Sequence, residues 1–167
     1  MAKINIIAAI DNNRAIGYQN KLLFHIDEDM KHFKQLTTGH TIVMGRRTFE
    51  SLPNGALPHR RNIVVSTTMK QRELAEGYSY HKQQGIEVYG SLTEALAACA
   101  NEDDIYIIGG EKIYQQAIAI ANRLYLTIID ASAPNADAWF PPFDGWMLKE
   151  ESPRQGHSFR VYERVKE

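Results

Sequence analysis

Apolar positions along the chain alternate between unbroken short runs and runs at helical spacing. Residues 4–10 are a continuous stretch of β-branched and small apolar side chains, as in a strand covered on both faces, so a central strand is predicted there. Residues 41–44, 61–66, 86–89, 105–108 and 124–129 repeat that signature and predict further buried strands. Between them the period changes. Over residues 27–37, Met30, Phe33 and Leu36 recur at helical spacing behind an acidic first turn, where the helix dipole favours negative charge. Residues 46–52 read as a short helix, Ser91 and Glu94 have capping-box spacing before a helix over 92–100, and 111–119 read as another. Residues 146–151 and 158–165 alternate like an antiparallel hairpin. Residues 11–23 (DNNRAIGYQNKLL) carry turn residues and no period, which predicts a long loop at a strand's carboxyl end, and residues 67–85 are polar and ambiguous. Strand and helix in alternation, ending in a hairpin, predict an α/β fold: a doubly wound, mostly parallel sheet with a C-terminal antiparallel hairpin.

Composition narrows the function. A chain of 167 residues corresponds to one domain, 1–167, able to bury a core without disulfide or metal. The formal charge of −1 provides no global field for a nucleic-acid backbone or an anionic membrane, so an anionic ligand must meet local positive charge. Cys99 is the only cysteine, and the six histidines have no paired ligand spacing, which argues against a metal site. With neither a signal-peptide pattern nor a membrane-length apolar stretch, the expectation is a cytoplasmic monomer.

The candidate chemistry lies where buried strands end in glycine and open into helices. TIVMGRRT sets Gly45, Arg46, Arg47 and Thr48 at a helix start, where free N–H groups, two guanidinium groups and a hydroxyl can meet a phosphate. IYIIGGEKIY repeats the arrangement with Gly109, Gly110 and Lys112. Both lie at carboxyl ends of predicted parallel strands, where open α/β sheets bind ligands, so one phosphate-bearing ligand spanning both is favoured. On the helix over 27–37, Asp29 lies only about 40° from Phe33 at the centre of the apolar stripe, whereas Asp27 and Glu28 fall well outside. An inward carboxylate needs donors, which a ligand rich in amines could supply. An ordinary first-turn role at the helix dipole stays open for all three acids.

Together these residues resemble the dihydrofolate reductase family. The resemblance runs through IIAAID and the following IG, the acid ahead of KHF, TIVMGRRTFES, LPHRRN leading to Ser66-Thr67, IIGG-x-x-IY, RLYLTIID, and D-x-W-FP before the hairpin. It implies NADPH-dependent reduction of 7,8-dihydrofolate to tetrahydrofolate, with hydride delivered to C6 and a proton to N5, and sensitivity to antifolate inhibitors. On matching positions, Asp29 would hydrogen-bond the pterin 2-amino group and N3, supported by Thr127. Leu22 and Phe24 would complete the catalytic set. Ile7 and Ile108 would offer carbonyls, Phe33 and Leu52 would pack the rings, and Ala8, Lys34 and Leu57 would line the substrate. Arg60 would pair with the glutamate carboxylate, with Arg61 as the competing candidate. For the cofactor, Ala9 would contact the carboxamide, and Ile16, Gly17 and Asn20 would close over the nicotinamide. Gly45, Arg46, Arg47, Thr48, Val65, Ser66, Thr67, Gly109, Gly110, Glu111, Lys112, Ile113 and Tyr114 would hold the remainder, including a 2′-phosphate. The resemblance further implies a cis peptide between Gly109 and Gly110. The chain departs from the family where L-P-W-x-x-P-x-D is usual: it reads LLFHIDED, so Leu23, Phe24 and Asp27 replace proline, tryptophan and proline. Two other readings stay open, a reductase of a related pyrimidine or pterin, and a catalytically silent pterin or NADPH binder.

Overall fold

A computed structural model describes residues 2–19, 21–22, 24–77 and 79–165. In chain order the elements are β1 (Lys3–Ile10), β2 (Ala15–Tyr18), β3 (Lys21–Leu22), α1 (Asp27–Thr37), β4 (Thr41–Gly45), α2 (Arg46–Ser51), β5 (Arg61–Val65), α3 (Thr67–Glu76) and α4 (Ser79–Gln83). They continue with β6 (Ile86–Tyr89), α5 (Leu92–Ala97), β7 (Asp104–Gly109), α6 (Glu111–Ala117), β8 (Arg123–Ile129), β9 (Ala138–Trp139), β10 (Trp146–Arg154) and β11 (His157–Arg164). Eight strands form the main sheet in the order β10-β11-β8-β1-β7-β4-β5-β6. The strands from β8 to β6 are mutually parallel, and β11 runs antiparallel to both β8 and β10. The predicted α/β sheet with its terminal hairpin is therefore observed.

The continuous apolar run of β1 follows from its position between β7 and β8, covered on both faces. Ile6, Ala8 and Ile10 face one layer with Leu92, Ala95, Ile113 and Tyr114 from α5 and α6. Ile7 faces the other with Ile42, Met44 and Val64, closed by Phe33 and Leu36 of α1 and Phe49 of α2. Each fully buried isoleucine or leucine here contributes about 1.5–3 kcal/mol over leaving it exposed. Chain order places β1 at the switch point: the chain leaves it for β4, β5 and β6, returns to β7 beside it, and then passes to β8 on its other side. The carboxyl ends of β1, β4 and β7 thus open on one crevice, the usual ligand position in such sheets.

Two expectations need correction, and one ambiguous stretch is resolved. Residues 11–23 are not simply a loop, because β2 and β3 lie within them and pair with β9 in a three-stranded sheet. Most of the ambiguous stretch after Ser66 is helical: the Ser66 hydroxyl accepts from the Met69 N–H at 3.2 Å and caps α3. Met30, taken as part of the apolar stripe, is 44% exposed, so Phe33 and Leu36 alone carry that face.

Candidate active site

Asp29 stands in the first turn of α1, and its carboxylate accepts a hydrogen bond from the Thr127 hydroxyl of β8 at 2.5 Å. Thr127 is 3% exposed, so the contact draws a helix-borne acid onto a central strand. The two neighbouring acids do not share this fate: the side chain of Asp27 is 98% exposed and that of Glu28 is half-exposed. Beside Asp29, the Tyr114 hydroxyl donates to the Ile7 carbonyl at 2.8 Å. Burial, reinforced by the charge of Asp29, pushes that phenol well above its ordinary range, so it remains a neutral donor.

Ile7, Phe33, Leu52, Leu57 and Ile108 belong to one apolar cluster on the α1 face of the sheet. Ala8 points to the opposite face and packs in the other layer, so its side chain cannot line this pocket. Ala9 sits opposite Thr127 in the ladder. Lys34 is exposed on α1, Phe24 is half-buried in the segment before it, and Leu22 belongs to β3 opposite Gly17. Asn20 and Leu23 lie outside the described residues.

The two arginines of LPHRRN, left open by sequence, part company. Arg61 is bound to Glu87 at 2.6 and 2.7 Å and to Glu102 at 3.0 Å, and the Glu87 hydrogen bond holds the guanidinium firmly charged. Arg60 instead lies against the Pro58 carbonyl at 2.9 Å and the Thr37 hydroxyl at 3.1 Å, with no carboxylate partner among the described residues. Burial lowers its pKa, but an arginine keeps its charge throughout. An acid is what this site lacks.

The two glycine turns adjoin. Gly109 and Gly110 are joined by a cis peptide, and Gly109 has φ +128°, a conformation that favours glycine. A Cβ on Gly110 would lie 3.3 Å from the Thr48 hydroxyl, and one on Gly109 would lie 3.3 Å from the Tyr114 hydroxyl. A Cβ on Gly45 would meet Ile113 at 3.2 Å. Side chains at these positions would fill a seam that is now bare backbone flanked by Thr48. Arg47 and Lys112 are exposed and make no ion pair among the described residues. A hydroxyl and two cations beside bare backbone are donors of the kind that could meet a phosphate.

Several residues expected at the cofactor also make contacts within the framework. Arg46 pairs with Glu50 at 3.3 Å. Glu111 accepts the Trp139 N–H at 2.6 Å and so ties α6 to β9, a contact between residues 28 apart that a local motif could not reveal. The side chains of Ile113 and Tyr114 are buried in the core. Val65 and Ile16 are half-buried against it. Ser66 caps α3, and Thr67 donates to the Gly90 carbonyl at 3.3 Å.

Sequence reading also missed the anchors of the small sheet. Asp11 is 2% exposed and accepts from the Asn13, Ala15 and Ala133 N–H groups, each at 2.8 Å. The Asp137 carboxylate accepts from the Gln19 N–H, and its own N–H donates to the Gly17 carbonyl, both at 3.0 Å. The available signal was an aspartate at the end of an apolar run followed by turn residues.

A family model described as dihydrofolate reductase matches residues 3–164. The chain belongs to the dihydrofolate reductase family. It is 42% identical to "Dihydrofolate reductase type 3" of Salmonella typhimurium over 151 residues, covering 89% of this chain and 86% of that one. With the dihydrofolate reductase of Neisseria gonorrhoeae it shares 41% over 157 residues, covering 93% and 90%. With that of Bacillus subtilis strain 168 it shares 37% over 170 residues, covering 96% and 94%. The family's span thus takes in the Asp29 pocket, both glycine turns and the hairpin.

Proposed function

We propose that this chain reduces 7,8-dihydrofolate to 5,6,7,8-tetrahydrofolate in folate metabolism, as an NADPH-dependent oxidoreductase. The observation that carries the reading is the Asp29–Thr127 pair: Asp29 stands on the same helix as Phe33, which packs in one apolar cluster with Leu52 and Ile108, so an acidic end adjoins an apolar wall. A pterin has that shape: a flat ring with an amine edge.

The residues present fit the cofactor. The bare Gly109–Gly110 backbone, Thr48, Arg47 and Lys112 would hold its phosphates, with Ser66 and Thr67 as further hydroxyls. When bound, NADPH supplies the hydride that goes to C6. Asp29 accepts N–H bonds from the 2-amino group and N3 and so fixes the ring. As an anion in a partly desolvated pocket it also favours positive charge on the ring, which raises the proton affinity of N5 as a solvent proton arrives. Thr127 holds the carboxylate, and Tyr114, kept neutral, donates to the Ile7 carbonyl and fixes that strand beside it. Arg60 takes the glutamate carboxylate that its surroundings do not provide. Antifolates that mimic the amine edge would bind the same carboxylate.

We take the protein to work as a cytoplasmic monomer on small molecules. Cys99 is a free, buried thiol, and no helix among the described residues is long and apolar enough to cross a membrane. The deciding experiment follows the fall in NADPH absorbance on adding dihydrofolate. Turnover is expected; NADPH binding without turnover would overturn the reading in favour of a silent binder.

A further inference from the structure

The N-terminus of α1 carries the key carboxylate, yet it has no side-chain cap: Ile26 occupies the N-cap position and makes no capping bond. It is held from outside, by the β10–β11 hairpin. Glu28 accepts from His157 at 2.9 Å and pairs with Arg154 at 3.3 Å. One turn on, the His32 ring stacks on Phe159 of β11, with centroids 4.1 Å apart and planes at 23°. Phe159 is the ladder partner of Thr127, the residue that binds Asp29. His32 and Asp29 are thus clasped to the same pair of strands from one helix face, at the i,i+3 separation that brings side chains to about 5–6 Å between Cβ atoms.

We propose that His32 is a positioning residue for the reduction: its ring docks the Asp29 turn on Phe159, and its protonation places a cation beside the carboxylate that opposes proton uptake at the site. The inference rests on the function proposed above.

His32 borders a cavity of about 500 Å3 between α1 and the hairpin. The charged groups around it are mixed. Glu28, Asp29 and Lys31 come from α1, Glu150, Glu151 and Arg154 from β10, and His157 and Arg160 from β11. Arg160 is drawn to Glu151 at 2.7 Å and Arg154 to Glu28, which leaves Asp29 as the strongest single charge acting on the His32 ring. Burial lowers the imidazole pKa and Asp29 opposes that shift, with smaller effects from Arg154 and Glu28. His32 is therefore neutral at neutral pH and gains its proton only below the ordinary imidazole value of 6.5, where its positive charge would work against proton uptake at N5.

Two variants separate docking from charge. His32→Phe keeps a stacking ring and removes the ionisation, whereas His32→Ala removes both. With kcat and kcat/KM for dihydrofolate measured from pH 5 to 9, His32→Phe should match the parent within two-fold at pH 8 and exceed it by about three-fold or more at the acid end of the range. His32→Ala should raise KM at every pH. A direct readout of coupling is the His32 ring titration by NMR, which should move to lower pH in Asp29→Asn. Parallel pH profiles for His32→Phe and parent, or a His32 titration unmoved by Asp29→Asn, would overturn the proposal while parent turnover left the assigned reaction standing. Absence of parent turnover would instead count against that reaction, and the NMR titration would still decide the coupling.

Discussion

A carboxylate can orient a ligand only when it is held without being used up, and Asp29 meets that condition through its contact with the Thr127 hydroxyl. Asp29→Asn keeps the shape but loses the charge that favours a proton on the ring, so kcat/KM at neutral pH should fall by about two or more orders of magnitude. Asp27→Asn, at a side chain 98% exposed, should be nearly silent in the same assay. Equal losses would remove Asp29 from its role. The neighbouring arginines make a second contrast. Arg60→Ala should raise KM for dihydrofolate about ten-fold or more and leave KM for a pterin lacking the glutamate unchanged, since one charge-assisted contact is worth about 1.5–3 kcal/mol. Arg61→Ala should spare KM for both and lower stability by about 1–2 kcal/mol, because it opens the Glu87 and Glu102 pairs, read as a fall in Tm. Helical geometry alone pointed Asp29 inward, for the wheel is a local property. It could not separate Arg60 from Arg61, because the difference is made by acids 26 and 41 residues further along the chain.

At the scale of elements, α3 and α4 are joined by a buried acid and base. Glu73 accepts from His81 at 2.8 Å and from Lys70 at 3.1 Å, with Glu73 and His81 both under a tenth exposed. Burial on its own would raise the Glu73 carboxyl, but the bonds from His81 and Lys70 outweigh it and hold the group below its ordinary value of 4.5. A depressed carboxyl contributes stability that is present above that ordinary value and is lost as pH falls through the folded-state value. Glu73→Gln should therefore lower Tm clearly at pH 6–8, by about 1–3 kcal/mol of stability, and the gap to the parent should narrow as pH falls below the ordinary carboxyl value of 4.5. A gap constant with pH would rule out the ionised pair. Which elements sequence revealed follows the same locality. The buried parallel strands read as unbroken apolar runs, and α1 read as a helix from its spacing. The β2-β3-β9 sheet did not, because two- and four-residue strands carry no period, and β2 is completed by Trp139 from far along the chain. Capping by Ser66 was equally hidden, because that residue closes a predicted strand and the polar stretch after it carries no helical period.

Across the whole molecule, the glycine turns show how far a resemblance carries and where the fold must finish the argument. Sequence placed Gly45 and Gly109-Gly110 at two separate strand ends, and the insertion of β7 between β1 and β4 brings them to one seam beside the Asp29 pocket. A ligand spanning that seam bridges α2 and α6 and so stabilises the folded state as a unit. At a hundred times its Kd, NADPH should add about 2.7 kcal/mol, which for a chain of this size raises Tm by about 5–10 °C. NADH at the same concentration lacks the 2′-phosphate and should give a smaller rise. Arg46 is already engaged by Glu50, so the discrimination falls to the cations with no ion-pair partner among the described residues. Arg47→Ala and Lys112→Ala should each shrink the NADPH shift, while Arg46→Ala should change it less. Thermal unfolding with each nucleotide tests this directly. Equal shifts from NADPH and NADH in the parent would mean that the exposed cations read no 2′-phosphate and that the crevice does not discriminate between the two nucleotides.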